Sequence, residues 1–158
     1  MKKKRERIIS KKVQFRGVEY KSQYEGTVAE LLYALGIPYT YEPFSIVLIE
    51  GFKYNKKAVR PTVYIPDFGL PNNVVLEAKG FETPEWKIKR KLLFKHLVAN
   101  NITLTFYEVH EKKFLEEFMK FITAEYPEIK ENTVKHEYEK IIKRHKLARR
   151  RTHLQGKR

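Results

Sequence analysis

The 158-residue chain contains no cysteine. Disulfides, zinc–thiolate sites and thiol nucleophiles are excluded together. No run of about 18 apolar residues occurs, so no membrane span is expected. The basic N-terminus runs into Ile8-Ile9-Ser10-Lys11-Lys12, not into an apolar stretch of signal-peptide length. A cytoplasmic setting fits these absences. The five histidines show no metal-ligand spacing: His96 and His110 suit structural roles, and His136, His145 and His153 fall in a basic C-terminal segment. There is no internal repeat and no helix-turn-helix or zinc module to read base sequence. Aspartate is nearly absent as well. Against eighteen Glu stands one Asp, Asp67.

What the chain has in excess is positive charge, a net +14. Residues 1–12 hold seven Lys/Arg and one Glu, residues 133–158 hold ten and two, and residues 13–132 hold sixteen of each sign. Basic ends on a neutral body suit a polyanion, because Lys and Arg displace counterions condensed on phosphates. Charged tails that merely keep a protein soluble are the plainer alternative.

Hydrophobic periodicity predicts a basic arm over 1–15, a core over 16–128 and a basic helix or tail over 129–158. Val28, Leu31, Leu32 and Leu35 have helical spacing within 24–35. Ser22 can cap that helix with Glu25 as capping-box partner, and Gly36 and Pro38 stop it. Residues 39–49 form an extended run, 51–57 a polar turn, 58–68 a second strand, 69–73 a turn and 74–79 a third strand. Thr83-Pro84-Glu85 starts a second helix, which runs to about Val98. A strand over 102–109 and a helix over 111–124 follow. A long basic helix begins near Asn132, with Tyr138, Ile141 and Ile142 as a weak apolar side. The expected fold is α/β (α+β) with a mixed sheet flanked by helices.

The lone aspartate sits in Tyr64-Ile65-Pro66-Asp67-Phe68, at the end of an apolar strand. Ten residues on comes Leu76-Glu77-Ala78-Lys79-Gly80. Residues i and i+2 on a strand share a face, so Glu77 and Lys79 project together. A short hairpin brings Asp67 beside them, and Gly80 leaves room for substrate backbone. Two carboxylates and an ammonium are what metal-dependent phosphodiester hydrolysis needs. Carboxylate oxygens suit Mg²⁺, with Mn²⁺ as a substitute; such an ion activates water and neutralises the phosphate. Lys79 orients water or binds phosphate as a point charge, and the Ala78 carbonyl is a further candidate ligand. The alternative is that Asp67, Glu77 and Lys79 are ordinary polar residues at strand ends.

Helix, three strands, helix, strand, with Pro66-Asp67 and Glu77-Ala78-Lys79 on strands two and three, resembles the PD-(D/E)XK nuclease superfamily. Within it the chain is similar to phage Holliday-junction resolvases of the endonuclease I type. It also resembles small phage proteins with a Gly-Phe-x-Thr-Pro-x-Trp-Lys segment, here Gly80 to Lys87. The resemblance spans roughly residues 15–110. It implies a restriction-endonuclease-like αβββαβ core, a phage or prophage origin in a bacterial host, and a homodimer that makes paired cuts in branched DNA. It also implies that Glu25, in Ser22-Gln23-Tyr24-Glu25, is a third metal-site carboxylate. The helix cap is the competing role for Glu25.

The second helix carries Lys87, Lys89, Arg90, Lys91 and Lys95 beside Trp86. Lys87 and Arg90 are expected toward DNA and the others toward solvent, on a helix whose core side is Ile88, Leu92, Leu93 and Leu97. Trp86 suits the core or a subunit interface. Lys2, Lys3, Lys4 and Arg5 in the arm, and Arg149, Arg150 and Arg151 in the tail, are the other candidate DNA contacts. Three functions follow: a structure-selective endonuclease resolving Holliday junctions, a restriction-like or transposition-end nuclease on linear duplex, or a non-catalytic binder of nucleic acid.

Overall fold

A computed structural model describes residues 11–155, with side chains to Arg150. Lys2, Lys3, Lys4 and Arg5, and the Arg151 side chain, lie outside the described residues. Ten strands and four α-helices form a mixed α/β architecture: β1 Val13–Phe15, β2 Val18–Tyr20, α1 Gln23–Ala34, β3 Thr40–Tyr41, β4 Ile46–Ile49, β5 Phe52–Tyr54, β6 Lys57–Val59, β7 Thr62–Tyr64, β8 Phe68–Leu70, β9 Val74–Lys79, α2 Pro84–Ala99, β10 Thr105–His110, α3 Phe114–Glu125 and α4 Glu131–Gln155. No helix among the described residues is long and apolar enough to cross a membrane.

The central sheet has the order β10-β9-β8-β3. β9 pairs parallel with β10 and antiparallel with β8, so the sheet is mixed. The expected hairpin of strands two and three is β8–β9, turning at Pro71–Asn73, with Asn72 and Asn73 at positive φ. β9 is buried along nearly its whole length, and its side chains alternate between two cores. Val74, Leu76 and Ala78 join α1, α3 and α4 in the larger one. On the opposite face Tyr64, Trp86, Leu93 and Leu97 pack with Ile46, Leu48 and Phe106. Glu77 and Lys79 project toward that second face, as strand alternation demands.

Several expectations change. The extended run over 39–49 is two strands, broken where Glu42 takes φ 48° just before Pro43. The strand over 58–68 is three pieces, because Pro61 and Pro66 lack the N–H a ladder needs. The expected polar turn over 51–57 holds a strand of its own, Phe52–Tyr54, which pairs with Lys57–Val59 in a hairpin. Val13–Phe15 pairs with β2 through an Arg16-Gly17 turn, both at positive φ, so the folded unit includes the last residues of the expected arm. The last helix is no appendage: Val134 and Ile141 are buried and Tyr138 packs its ring near Phe114. Its apolar positions Val134, Tyr138 and Ile141 make a stripe one residue wide, and the charged remainder suggests a tail.

Candidate active site

Asp67 lies between β7 and β8, where Pro66 has ended one strand and the other has not begun. Its main chain is clamped, because Glu42 N–H donates to the Asp67 carbonyl at 3.0 Å. Gly69 permits this crossing: an added Cβ would stand 2.6 Å from Pro43 Cγ. Asp67 Oδ2 accepts the Ala78 N–H at 2.8 Å, filling the ladder position that β8 leaves vacant. Among the described residues Oδ1 accepts no hydrogen bond. Ala78 turns its side chain into the core and enters the site through its main chain.

Glu77 is 2% exposed. Its Oε2 accepts from the Tyr64 hydroxyl at 2.9 Å and from Asp67 N–H at 3.4 Å, while Oε1 pairs with Lys79 Nζ. Lys79 Nζ also lies 4.0 Å from the centre of the Trp86 ring, within cation–π range. The three residues expected to converge therefore do so. Burial first, and the Glu77 charge second, push the Asp67 carboxyl up to about 8, with Lys79 opposing. Two carboxylates in a desolvated corner with one ammonium favour a further cation. Burial and Glu77 push the Tyr64 phenol far above its ordinary range, so it remains a donor.

Glu25 behaves differently. Ser22 Oγ accepts Glu25 N–H at 3.1 Å and donates to Glu25 Oε1 at 2.7 Å. Glu25 Oε2 accepts from Lys21 N–H at 3.2 Å and from Tyr41 Oη at 2.5 Å. The capping role is thus built. The charge of Glu25 still reaches Asp67 and raises its pKa. Among the described residues no three His, Asp or Glu side chains form a group able to hold a metal ion. The convergent pair is Asp67 and Glu77, with Glu25 as an outer neighbour.

The second helix redistributes its expected roles. Arg90 is tied to Glu108 and, at 3.0 Å, to Glu82; Glu108 in turn accepts Trp86 Nε1–H at 2.6 Å. Arg90 therefore braces Trp86 instead of reaching outward. Lys87 pairs with Glu82 at 3.2 Å from an exposed position. Lys89, expected to face solvent, is only partly exposed. Burial first and the Lys79 ammonium second hold its pKa down, while Glu77 opposes them. Its spacing from Trp86 is the signal that could have found it, since residues three apart share a helix face. Ile88, expected in the core, is 63% exposed.

In the C-terminal helix, Arg149 bonds Gln23 Oε1 at 2.6 Å, while Arg144 and His145 pair with Glu30. Arg150 is exposed. The helix lies along α1 with part of its charge already engaged.

Residues 5–116 match one family model, described as "Protein of unknown function (DUF1064)". The matched span holds Glu25, Asp67, Glu77, Lys79 and Lys89, and ends inside α3. No curated protein and no solved structure matches the chain.

Proposed function

The chain belongs to the DUF1064 family, and we propose that it is a metal-dependent DNA endonuclease of the PD-(D/E)XK type, acting on branched DNA such as Holliday junctions. The observation that carries this reading is the convergence of Asp67, Glu77 and Lys79 around a buried, over-negative corner. The donor set fits Mg²⁺ or Mn²⁺: hard carboxylate oxygens, one of them without a donor, and an electrostatic deficit that a cation relieves. Mg²⁺ commonly takes one or two carboxylates and completes its shell with water and phosphate oxygens. Asp67 and Glu77 would hold the ion, with the Ala78 carbonyl as a further ligand. When bound, the ion supplies Lewis-acid charge and an acidified water.

The chain's own residues do the rest. Tyr64 and Asp67 N–H fix one oxygen of Glu77, so its other oxygen keeps a set direction. Ala78 N–H fixes Asp67 in the same way. Lys79, held between Glu77 and the Trp86 ring, places a positive charge where the scissile phosphate arrives. Lys89 adds a second one. Glu25 supports the centre by anchoring the start of α1, and joins a metal shell only by giving up bonds it now makes.

Cutting both strands of a junction takes two centres, which makes a homodimer the natural assembly. The exposed apolar residues Ile88, Phe94 and Val98 of α2 offer a surface for it. The test is cleavage of matched four-way and linear DNA with Mg²⁺ by the natural chain and by Asp67→Asn. Nicking that survives in Asp67→Asn rejects the site. Preferential cutting of linear duplex moves the substrate to the restriction-like alternative. Binding by both chains without cleavage by either leaves a nucleic-acid-binding protein.

A further inference from the structure

We propose that the β5–β6 hairpin is a finger that grips the phosphates of the DNA duplex flanking the carboxylate centre; the choice of DNA rests on the function proposed above. Every residue from Ile49 to Pro61 is exposed. The ribbon pairs Phe52 with Val59, Lys53 with Ala58 and Tyr54 with Lys57, turning through Asn55 and Lys56, both at positive φ. A two-stranded hairpin alone in water is marginal, because it buries too little on either face. Here Phe52 is 53% and Tyr54 67% exposed. The ribbon is therefore a surface that a partner completes.

Its charge identifies the partner. Between Glu50 and Pro61 stand Lys53, Lys56, Lys57 and Arg60 against the single acid Glu50. Among the described residues none of these four cations pairs with an acid, whereas Lys87, Arg90 and Arg144 all do. Seating one ribbon on the ribbon of a second copy would double this excess at close quarters. A polyanion is attracted by the same excess, and phosphate binding gains from counterion release. The shape agrees, since a two-stranded β-ribbon fits the major groove of B-DNA. Phe52, Tyr54, Lys57 and Val59 share one face of the ribbon and set aromatic surface beside positive charge.

The root of the ribbon is joined to the site through β4 and β7. An added Cβ at Gly51 would meet the Val59 carbonyl at 3.2 Å and Pro61 Cδ at 3.3 Å, so the crossing there is close. β4 and β7 continue the ribbon and pair Ile46 with Tyr64. Tyr64 is the residue that bonds Glu77. From Tyr64 back to Lys57 the chain reaches at most about 23 Å at ~3.3 Å per residue. That length corresponds to roughly seven phosphate steps of ~3.4 Å along one strand. Lys57 thus stands no farther from Tyr64 than that span of duplex.

The test uses the full chain carrying Asp67→Asn, with the fourfold change K53Q/K56Q/K57Q/R60Q or with F52S/Y54S. Binding to a labelled duplex is followed by anisotropy across a KCl series. The substituted positions are exposed, so both variants should melt with the parent. The expected result is a slope of log K against log salt that flattens by about 2 to 4 in the fourfold variant, at about 0.9 for each phosphate no longer neutralised, with weaker binding at every salt. An unchanged slope overturns the proposal. So does conversion of a dimer to a monomer by F52S/Y54S in sedimentation while the fourfold change leaves binding alone; the ribbon is then a subunit contact. Cleavage by the natural chain is measured in parallel. Cleavage with an unmoved slope rejects the finger and keeps the nuclease; a flattened slope without cleavage does the reverse.

Discussion

Asp67 carries an electrostatic anomaly that falls in an accessible pH range, and it has a sign that can be checked without any substrate. Its carboxyl is raised, by burial first and by Glu77 second, to about 8, against about 3.9 when unfolded. The folded chain therefore binds that proton more tightly than the unfolded chain does. The contribution to stability is complete below about pH 4 and drains away as pH rises through about 8. In EDTA, melting temperature should fall between those limits, and Asp67→Asn should lose that part of the slope. Mg²⁺ should raise the melting temperature of the natural chain at high pH and leave Asp67→Asn unmoved. Parallel pH profiles for the two chains would contradict the raised carboxyl.

At Glu25 the sequence left two roles open, and the geometry builds the cap. Ser22→Ala should cost about 1 kcal/mol of stability in denaturant melts, as lost caps do. Arg90→Ala should destabilise by about 1–3 kcal/mol, since Glu108, only 14% exposed, would lose its ion-pair partner. Its DNA salt slope should stay unchanged. A flattened slope with no loss of stability would restore the phosphate-gripping role that Arg90 has on sequence alone. The identity of Asp67, Glu77 and Lys79 was legible because two carboxylates and a lysine ending apolar strands are rare in combination. Lys89 was not: five cations crowd one helix, and the spacing alone does not show which of them is drawn out of solvent.

Among the elements, β9 and α2 were the most legible. β9 is buried on both faces, and Val74-Val75-Leu76 marks it in the sequence as an apolar run ahead of Glu77. α2 announces itself through Thr83, whose hydroxyl accepts Trp86 N–H at 3.1 Å, and through Pro84. The strands from 39 to 68 were less so. Their β-rich composition hides breaks that Pro43, Pro61 and Pro66 impose. A hairpin whose residues are all exposed leaves no alternation to detect. The C-terminal helix belongs to the core through Val134 and Ile141. Ile141→Ala should cost about 2–4 kcal/mol, an unexpected loss if the helix were a detachable tail. Under the proposed function, deleting residues 145–158 should weaken DNA binding and flatten its salt dependence while leaving the proposed metal site intact; an unchanged slope would deny that segment a DNA role.

For the whole molecule, positive charge gathers in the sequence at both ends of the chain, on α2 and on the β5–β6 ribbon. Composition shows the first two, because a neutral total over 13–132 conceals a local excess balanced by acids elsewhere. Under the proposed function, the carboxylate centre on the sheet face is the site of cleavage and the β5–β6 ribbon holds the flanking duplex. In the proposed homodimer, the exposed apolar residues of α2 would form the contact. The most direct measurement is Mg²⁺-dependent cleavage of a synthetic four-way junction and its matched linear duplex, by the natural chain and by Asp67→Asn. The account predicts paired nicks at the junction and little cutting of the duplex. In Asp67→Asn it predicts a loss of more than about a hundredfold, beyond the 10- to 100-fold typical of residues that only support a metal site, with binding retained. Equal cleavage by the two chains would contradict it.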